Sequence, residues 1–133
     1  VPNFYIDDQG DYAECVRKIP ISGDESARDV LLLSIEKWQT IVNYLRKNRK
    51  TFSLRDGGQR TCACCIKYLN IFECVGCPIY AHTNRTFCES TPYEKYSDTD
   101  SLTNNKNLRN ATSELNFLKE ILKKMDKKEA ENV

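Results

Sequence analysis

The chain has 133 residues, enough for a single domain, 1–133, with a modest core of its own. Its 20 basic and 19 acidic side chains leave a formal net charge of +1. That balance excludes the global polycation of a nonspecific nucleic-acid or anionic-membrane binder and confines any such binding to a local patch. No apolar run approaches the roughly 18 to 20 residues that span a bilayer. The opening Val1-Pro2-Asn3-Phe4 has neither the basic nor the apolar region of a secretory signal, so a soluble, cytoplasmic domain with no membrane partner is expected.

Residues 1–21 form an N-terminal segment. Phe4-Tyr5-Ile6 and the stretch Tyr12 to Ile19 flank an Asp/Gly-rich turn, Asp7-Asp8-Gln9-Gly10, in the layout of a small β-hairpin closed by Pro20. Ser22 to Ser26 then carries acidic residues suited to the positive end of a helix dipole. Beyond it Leu31, Ile35, Trp38, Val42 and Leu45 recur in steps of four and three, which predicts an amphipathic helix over 24–50. Val30, Leu32, Leu33 and Ile41 widen its stripe, and Arg46 to Lys50 suits its C-terminal end. Asp56-Gly57-Gly58 marks a turn into a cysteine-rich stretch over 60–96. Thr91-Pro92-Tyr93-Glu94 is a compact helix start, with Thr91 as cap, Pro92 in the first helical position and Glu94 reaching back, so a short helix is expected over Pro92 to Tyr96. Ala111, Leu115, Leu118, Leu122 and Met125 repeat the four-and-three spacing, broadened by Phe117 and Ile121, and predict a second long helix over 104–126 with a frayed tail from Lys127. Two helices so patterned are expected to pack together, with Trp38 in the core between them.

Seven cysteines are the anomaly of the composition, and an odd number cannot all pair within one chain. Cys15 stands apart, while Cys62, Cys64, Cys65, Cys74, Cys77 and Cys88 crowd one stretch. A disulfide scaffold spreads its cysteines to staple distant elements. Close CxxC pairs instead present two sulfurs each to one tetrahedral ion. Cys62-x2-Cys65 and Cys74-x2-Cys77, with Cys88 further on, make five candidate metal ligands for four places, and zinc is the expected occupant. Cys64, between better-spaced neighbours, reads as a buried free thiol, and His82 as a surface or hydrogen-bonding histidine. Gly76 allows the tight turn of a knuckle, and Tyr68, Leu69, Ile71 and Phe72 supply a satellite core. An iron–sulfur cluster would also take four thiolates and is the alternative cofactor. The fold class that follows is mainly α: two long helices packed around a central, loop-rich, zinc-knuckle-like module.

Several features together resemble a family of small, uncharacterised cysteine-rich proteins of tailed phages, prophages and bacteria. They are Ser34-Ile35-Glu36-Lys37-Trp38, then Thr61-Cys62-Ala63-Cys64-Cys65 with Tyr68, then Glu73-Cys74-Val75-Gly76-Cys77-Pro78-Ile79. Thr83, Cys88-Glu89-Ser90-Thr91-Pro92-Tyr93 and Glu114-Leu115-Asn116-Phe117-Leu118 complete a set spread over roughly residues 28 to 122. Asn84 stands where such proteins tend to have a glycine, and Cys64 is a second departure. The resemblance implies a metal-binding fold and a viral or mobile-element origin, with the host cytoplasm as compartment. It implies no activity.

For function, a closed thiolate set and a single histidine argue against catalysis, since a catalytic zinc keeps an open position. A non-enzymatic adaptor that binds a protein partner is therefore expected. One alternative is nucleic-acid binding through the basic stretch Arg46, Lys47, Arg49, Lys50, Arg55 and Arg60, with Tyr44, Phe52, Tyr68 and Tyr80 as stacking surfaces. The other is redox chemistry, at an iron–sulfur cluster or through a thiol switch.

Overall fold

The computed structural model describes residues 2–10, 13–18, 24–48, 54–56, 61–72, 77–83, 91–97 and 104–131. Among these the chain is mainly helical, with a small three-stranded sheet. The N-terminal hairpin is present: β1 (Phe4–Asp8) runs antiparallel to β2 (Ala13–Arg17) in the register Phe4↔Arg17 through Asp8↔Ala13. Asp8 closes the turn by accepting the Gly10 N–H on its carboxylate at 2.8 Å. Gly10 sits at φ 95°, a conformation that side-chain-bearing residues rarely adopt. Alternation sends Phe4, Ala13 and Cys15 inward, where all three are buried.

The long helix α1 (Ala27–Lys47) begins where the acidic stretch suggested. Ser26 caps it by accepting the Asp29 N–H at 3.1 Å. It ends before position 50, because Asn48 turns to extended backbone and sends both its N–H and its side-chain amide to the Tyr44 carbonyl. The chain then forms β3 (Leu54–Arg55), a strand the sequence patterning did not foretell, which pairs parallel with β2 through Ala13↔Leu54 and Glu14↔Arg55. α1 is therefore the crossover between two parallel strands, the connection such strands require.

The cysteine-rich stretch holds more helix than its loop-like composition implied. α2 (Ala63–Phe72) and α3 (Pro78–Thr83) each begin one residue after a cysteine. α4 (Pro92–Ser97) is the short helix expected there, and α5 (Asn104–Glu131) is the second long one, continuing past the expected end at 126. Arg28 in the first turn of α1 holds Asp126 near the end of α5 at 2.9 Å, so the two long helices run antiparallel. That ion pair and the helix-favouring Lys/Glu composition carry the last turns. Among the described residues no helix is long and apolar enough to cross a membrane.

The two long helices pack together, and Val30, Leu31, Trp38, Ile41, Val42 and Leu45 of α1 and Ala111, Leu115, Leu118 and Ile121 of α5 are buried in one core. Leu32, expected to widen the buried stripe of α1, faces out at 36% exposure. Trp38 is in the core, but its ring partners come from α4: Tyr93 and Tyr96 stand edge-on to it at 5.9 and 5.1 Å. The Tyr96 hydroxyl donates onward to the Leu54 carbonyl and so ties α4 to the sheet. Trp38→Ala is expected to cost about 3–5 kcal/mol, the range for truncating a buried large aromatic. Urea unfolding followed by circular dichroism checks this, since the variant lacks the chain's one tryptophan.

Candidate metal centre

Cys62 and Cys77 hold equivalent places in their helices. The Cys62 carbonyl accepts the Ile66 N–H at 2.9 Å, and the Cys77 carbonyl accepts the Ala81 N–H at 2.9 Å. Cys62 also caps α2 with its sulfur, which accepts the Cys65 N–H at 3.3 Å. Pro78 occupies the first helical position of α3, where its missing N–H leaves no bond unmade. Each CxxC pair thus contributes a cysteine at the threshold of a helix.

The thiols meet. Cys62 is hydrogen-bonded to Cys64 and to Cys65, and Cys64 is hydrogen-bonded to Cys77. These interactions link the thiols of the first pair, through Cys64, to Cys77 of the second. Cys64 is buried at 2% exposure, as its reading as a buried thiol implied, and Ser34 of α1 lies against it with Oγ 3.5 Å from Sγ. Hydrogen bonds from Cys64 and Cys65 hold Cys62 well below the ordinary thiol range, with Lys37 adding to the effect. Cys64 is held well above that range, first by its bond to Cys62 and then by Cys77 and burial. The two shifts run in opposite directions because Cys62 and Cys64 share a hydrogen bond.

A charged cluster adjoins the sulfurs. Lys37, on the inner face of α1, is 2% exposed and its Nζ lies 3.1 Å from an Asp56 carboxylate oxygen. Burial acts to lower Lys37, but Asp56, Cys62 and Cys15 outweigh it and hold the ammonium above its usual value. Tyr93 of α4 is hydrogen-bonded to the same Asp56 carboxylate. The Asp56 carbonyl accepts the Thr61 hydroxyl at 2.7 Å, which anchors the start of the cysteine stretch.

Glu114 of α5 is buried beside this cluster, and its carboxylate accepts the Tyr93 N–H. The first turn of α4, where Thr91 and Glu94 suggested a local capping box, thus bonds to a carboxylate from a distant helix; the Glu94 side chain lies outside the described residues. Burial, reinforced by the Cys62 charge, raises Glu114 from 4.5 to about 8. The folded protein then holds a proton that the unfolded chain releases, so stability contributed at low pH is lost as pH rises from about 4.5 to about 8. Glu114→Gln is expected to flatten that slope by on the order of 1 kcal/mol per pH unit. Urea unfolding of both proteins at intervals between pH 5.5 and 8 measures the difference.

Of the five cysteines read as ligands, Cys62, Cys65 and Cys77 are placed by the structure, while Cys74 and Cys88 lie outside the described residues, as does Gly76. Among the described residues no group of three or more His, Cys, Asp or Glu side chains is arranged to hold a metal ion. His82 is exposed, with its ring edge-on to Phe117 at 5.6 Å. Cys15 sits buried in β2, and burial pushes its thiol up to about 12. In the basic stretch Arg46, Lys47 and Arg55 are exposed, and Arg49, Lys50 and Arg60 lie outside the described residues. Of the aromatic residues read as stacking surfaces, Tyr44 donates its hydroxyl to Asp8, and the side chains of Phe52, Tyr68 and Tyr80 are likewise outside, together with the satellite core of Leu69, Ile71 and Phe72.

The sequence assigned no site role to Ser34, Lys37 and Glu114, read only as features of the resemblance, or to Asp56, read only as part of a turn. Three of them carried a signal in their spacing. Ser34 falls three residues after Leu31, Lys37 four before Ile41 and Glu114 four before Leu118, so each is a polar residue inside an apolar helical stripe. A scan of protein-family models and searches of curated proteins and of solved structures found no match to this chain.

Proposed function

We propose that this protein binds zinc through cysteine thiolates drawn from Cys62, Cys65, Cys74, Cys77 and Cys88, and that the metal-held module is a non-enzymatic surface for a protein partner. The observation that supports this most is the meeting of thiols from both CxxC pairs, Cys62 and Cys65 joined through Cys64 to Cys77. Soft thiolates select zinc or an iron–sulfur cluster over hard cations, and four of them around zinc leave no open position for substrate.

Elemental mass spectrometry of protein purified without added metal, together with an absorbance spectrum, tests the reading. About one zinc per chain and no visible band is the expected result. Iron with acid-labile sulfide replaces zinc by a cluster and favours the redox alternative. Folded, reduced protein with neither metal overturns the proposal.

A further inference from the structure

We propose that Cys62 and Cys65 form a redox couple at the start of α2, which closes to a disulfide by exchange with a low-molecular-weight disulfide, Cys62 being the attacking sulfur. The couple needs only these two residues and no metal. Of the cysteines among the described residues, Cys15, Cys64 and Cys77 are buried, while Cys62 and Cys65 are partly exposed. Cys64 lies inside the helix at 2% exposure, against Ser34, out of reach of a dissolved reagent. Cys62 is the cap of α2: its carbonyl accepts the Ile66 N–H at 2.9 Å and its sulfur accepts the Cys65 N–H at 3.3 Å. Within a helix, residues three apart hold their Cβ atoms about 5–6 Å from each other, whereas a disulfide needs about 3.5–4.5 Å. A cap residue differs, because its backbone has left the helical conformation and its side chain turns back over the first turn. The Cys62 sulfur therefore already lies against the Cys65 backbone nitrogen, which is joined to the Cys65 sulfur only through Cα and Cβ. Rotation about the Cys65 Cα–Cβ bond is the movement left to make.

A hydrogen bond donated to sulfur and the positive end of a helix both favour the attacking form of a cysteine, and Cys62 receives both. In the first step its sulfur attacks one sulfur of the small disulfide RSSR. A mixed disulfide forms, the original S–S bond breaks, and the departing RS takes the proton that Cys62 gave up. In the second step the Cys65 sulfur attacks Cys62 and releases the other RSH, which carries the Cys65 proton. Two protein thiols are thereby oxidised and RSSR is reduced to two RSH. The same two sulfurs are candidate metal ligands, so the closed disulfide and ligation by this pair exclude each other.

The test treats the full, reduced chain with excess glutathione disulfide, in parallel with and without EDTA. After an acid quench and denaturation, remaining thiols are blocked with one alkylating reagent, disulfides are reduced, and the thiols so released are blocked with a second. Trypsin cleaves after Arg60 and Lys67 and yields one peptide, Thr61 to Lys67, that holds Cys62, Cys64 and Cys65 together. Before reduction this peptide is expected to lack two hydrogens. Tandem mass spectrometry after reduction is expected to place the second label on Cys62 and Cys65 and the first on Cys64. In Cys65→Ser the disulfide should be lost and one glutathione should remain on Cys62, while in Cys62→Ser the Cys65 thiol should stay reduced over the same interval. Closure seen only with EDTA supports the couple and means that a bound metal shields it. No Cys62–Cys65 disulfide in either arm, or the second label on Cys64, overturns the couple. Glutathione taken up by Cys65 in Cys62→Ser, but not by Cys62 in Cys65→Ser, overturns the role of Cys62. Failure here leaves the zinc reading standing, since elemental analysis decides that separately.

Discussion

Cys62→Ser is expected to yield a protein without stoichiometric metal and with a lower denaturation midpoint than any other single cysteine variant. Three roles converge on this residue. It is a candidate ligand, its sulfur caps α2 through the Cys65 N–H, and it is the thiol that Cys64 and Cys65 stabilise as a thiolate. Structural zinc contributes on the order of 10–16 kcal/mol in small peptide modules. A whole domain commonly has about 5–15 kcal/mol of net stability. With the ion held as proposed, its loss outweighs loss of the cap, which costs about 1 kcal/mol. The damage should be local. α1 and α5 retain their shared core and the Arg28–Asp126 pair, while α2 and α3 lose the proposed metal tie. Hydrogen exchange should accordingly rise in 61–83 and change little along the facing stripes of α1 and α5. Cys64→Ser is the contrast, expected to keep the metal because Cys64 is read as a neutral thiol between ligands. Elemental analysis of both variants checks the assignment, and metal retained in Cys62→Ser but lost in Cys64→Ser would reverse it.

Asp56→Ala is the second large effect, expected to cost about 3–5 kcal/mol because it leaves a buried ammonium without its carboxylate. Lys37 and Tyr93 both direct polar hydrogens at Asp56, and Lys37, buried in the core, has no water as a ready substitute. The cost should fall sharply when the ammonium is removed as well. The double variant Lys37→Met/Asp56→Ala is expected to be more stable than Asp56→Ala, since replacing both members of a buried pair leaves no isolated charge. A double-mutant cycle in urea measures this coupling. Equal stability of the single and double variants would show that Lys37 reaches water once Asp56 is gone.

Both predictions concern residues whose importance is unequally visible in the sequence. Cys62 stands out by spacing, because a CxxC pair has a chemical meaning before any fold is known. The position of Cys64 as the link to Cys77 does not, since it depends on how α2 and α3 present their first residues. Asp56 looks like part of a Gly-rich turn, and nothing local to it indicates a lysine nineteen positions earlier on α1. Trp38 lies between these cases. Its helical spacing assigns it to a core, but Tyr93 and Tyr96 become its neighbours only when α4, packed on α5, brings their rings to it.

What the sequence by itself determined is local and periodic. The four-and-three spacings of α1 and α5, the turn with Gly10, the start of α4 at Pro92 and the cysteine pairs are all set by residues within a few positions of one another. Their physics is short in range: side-chain periodicity, backbone conformation and dipole ends. Only the tertiary structure decided the parallel pairing of β3 with β2, the helices α2 and α3 inside a stretch with loop-like composition, and the polar cluster of Ser34, Lys37, Asp56 and Glu114 beside the thiols. A two-residue strand has no pattern to read. A buried charge is tolerable only where a partner from another element meets it, so its meaning lies in the packing and not in its neighbours along the chain.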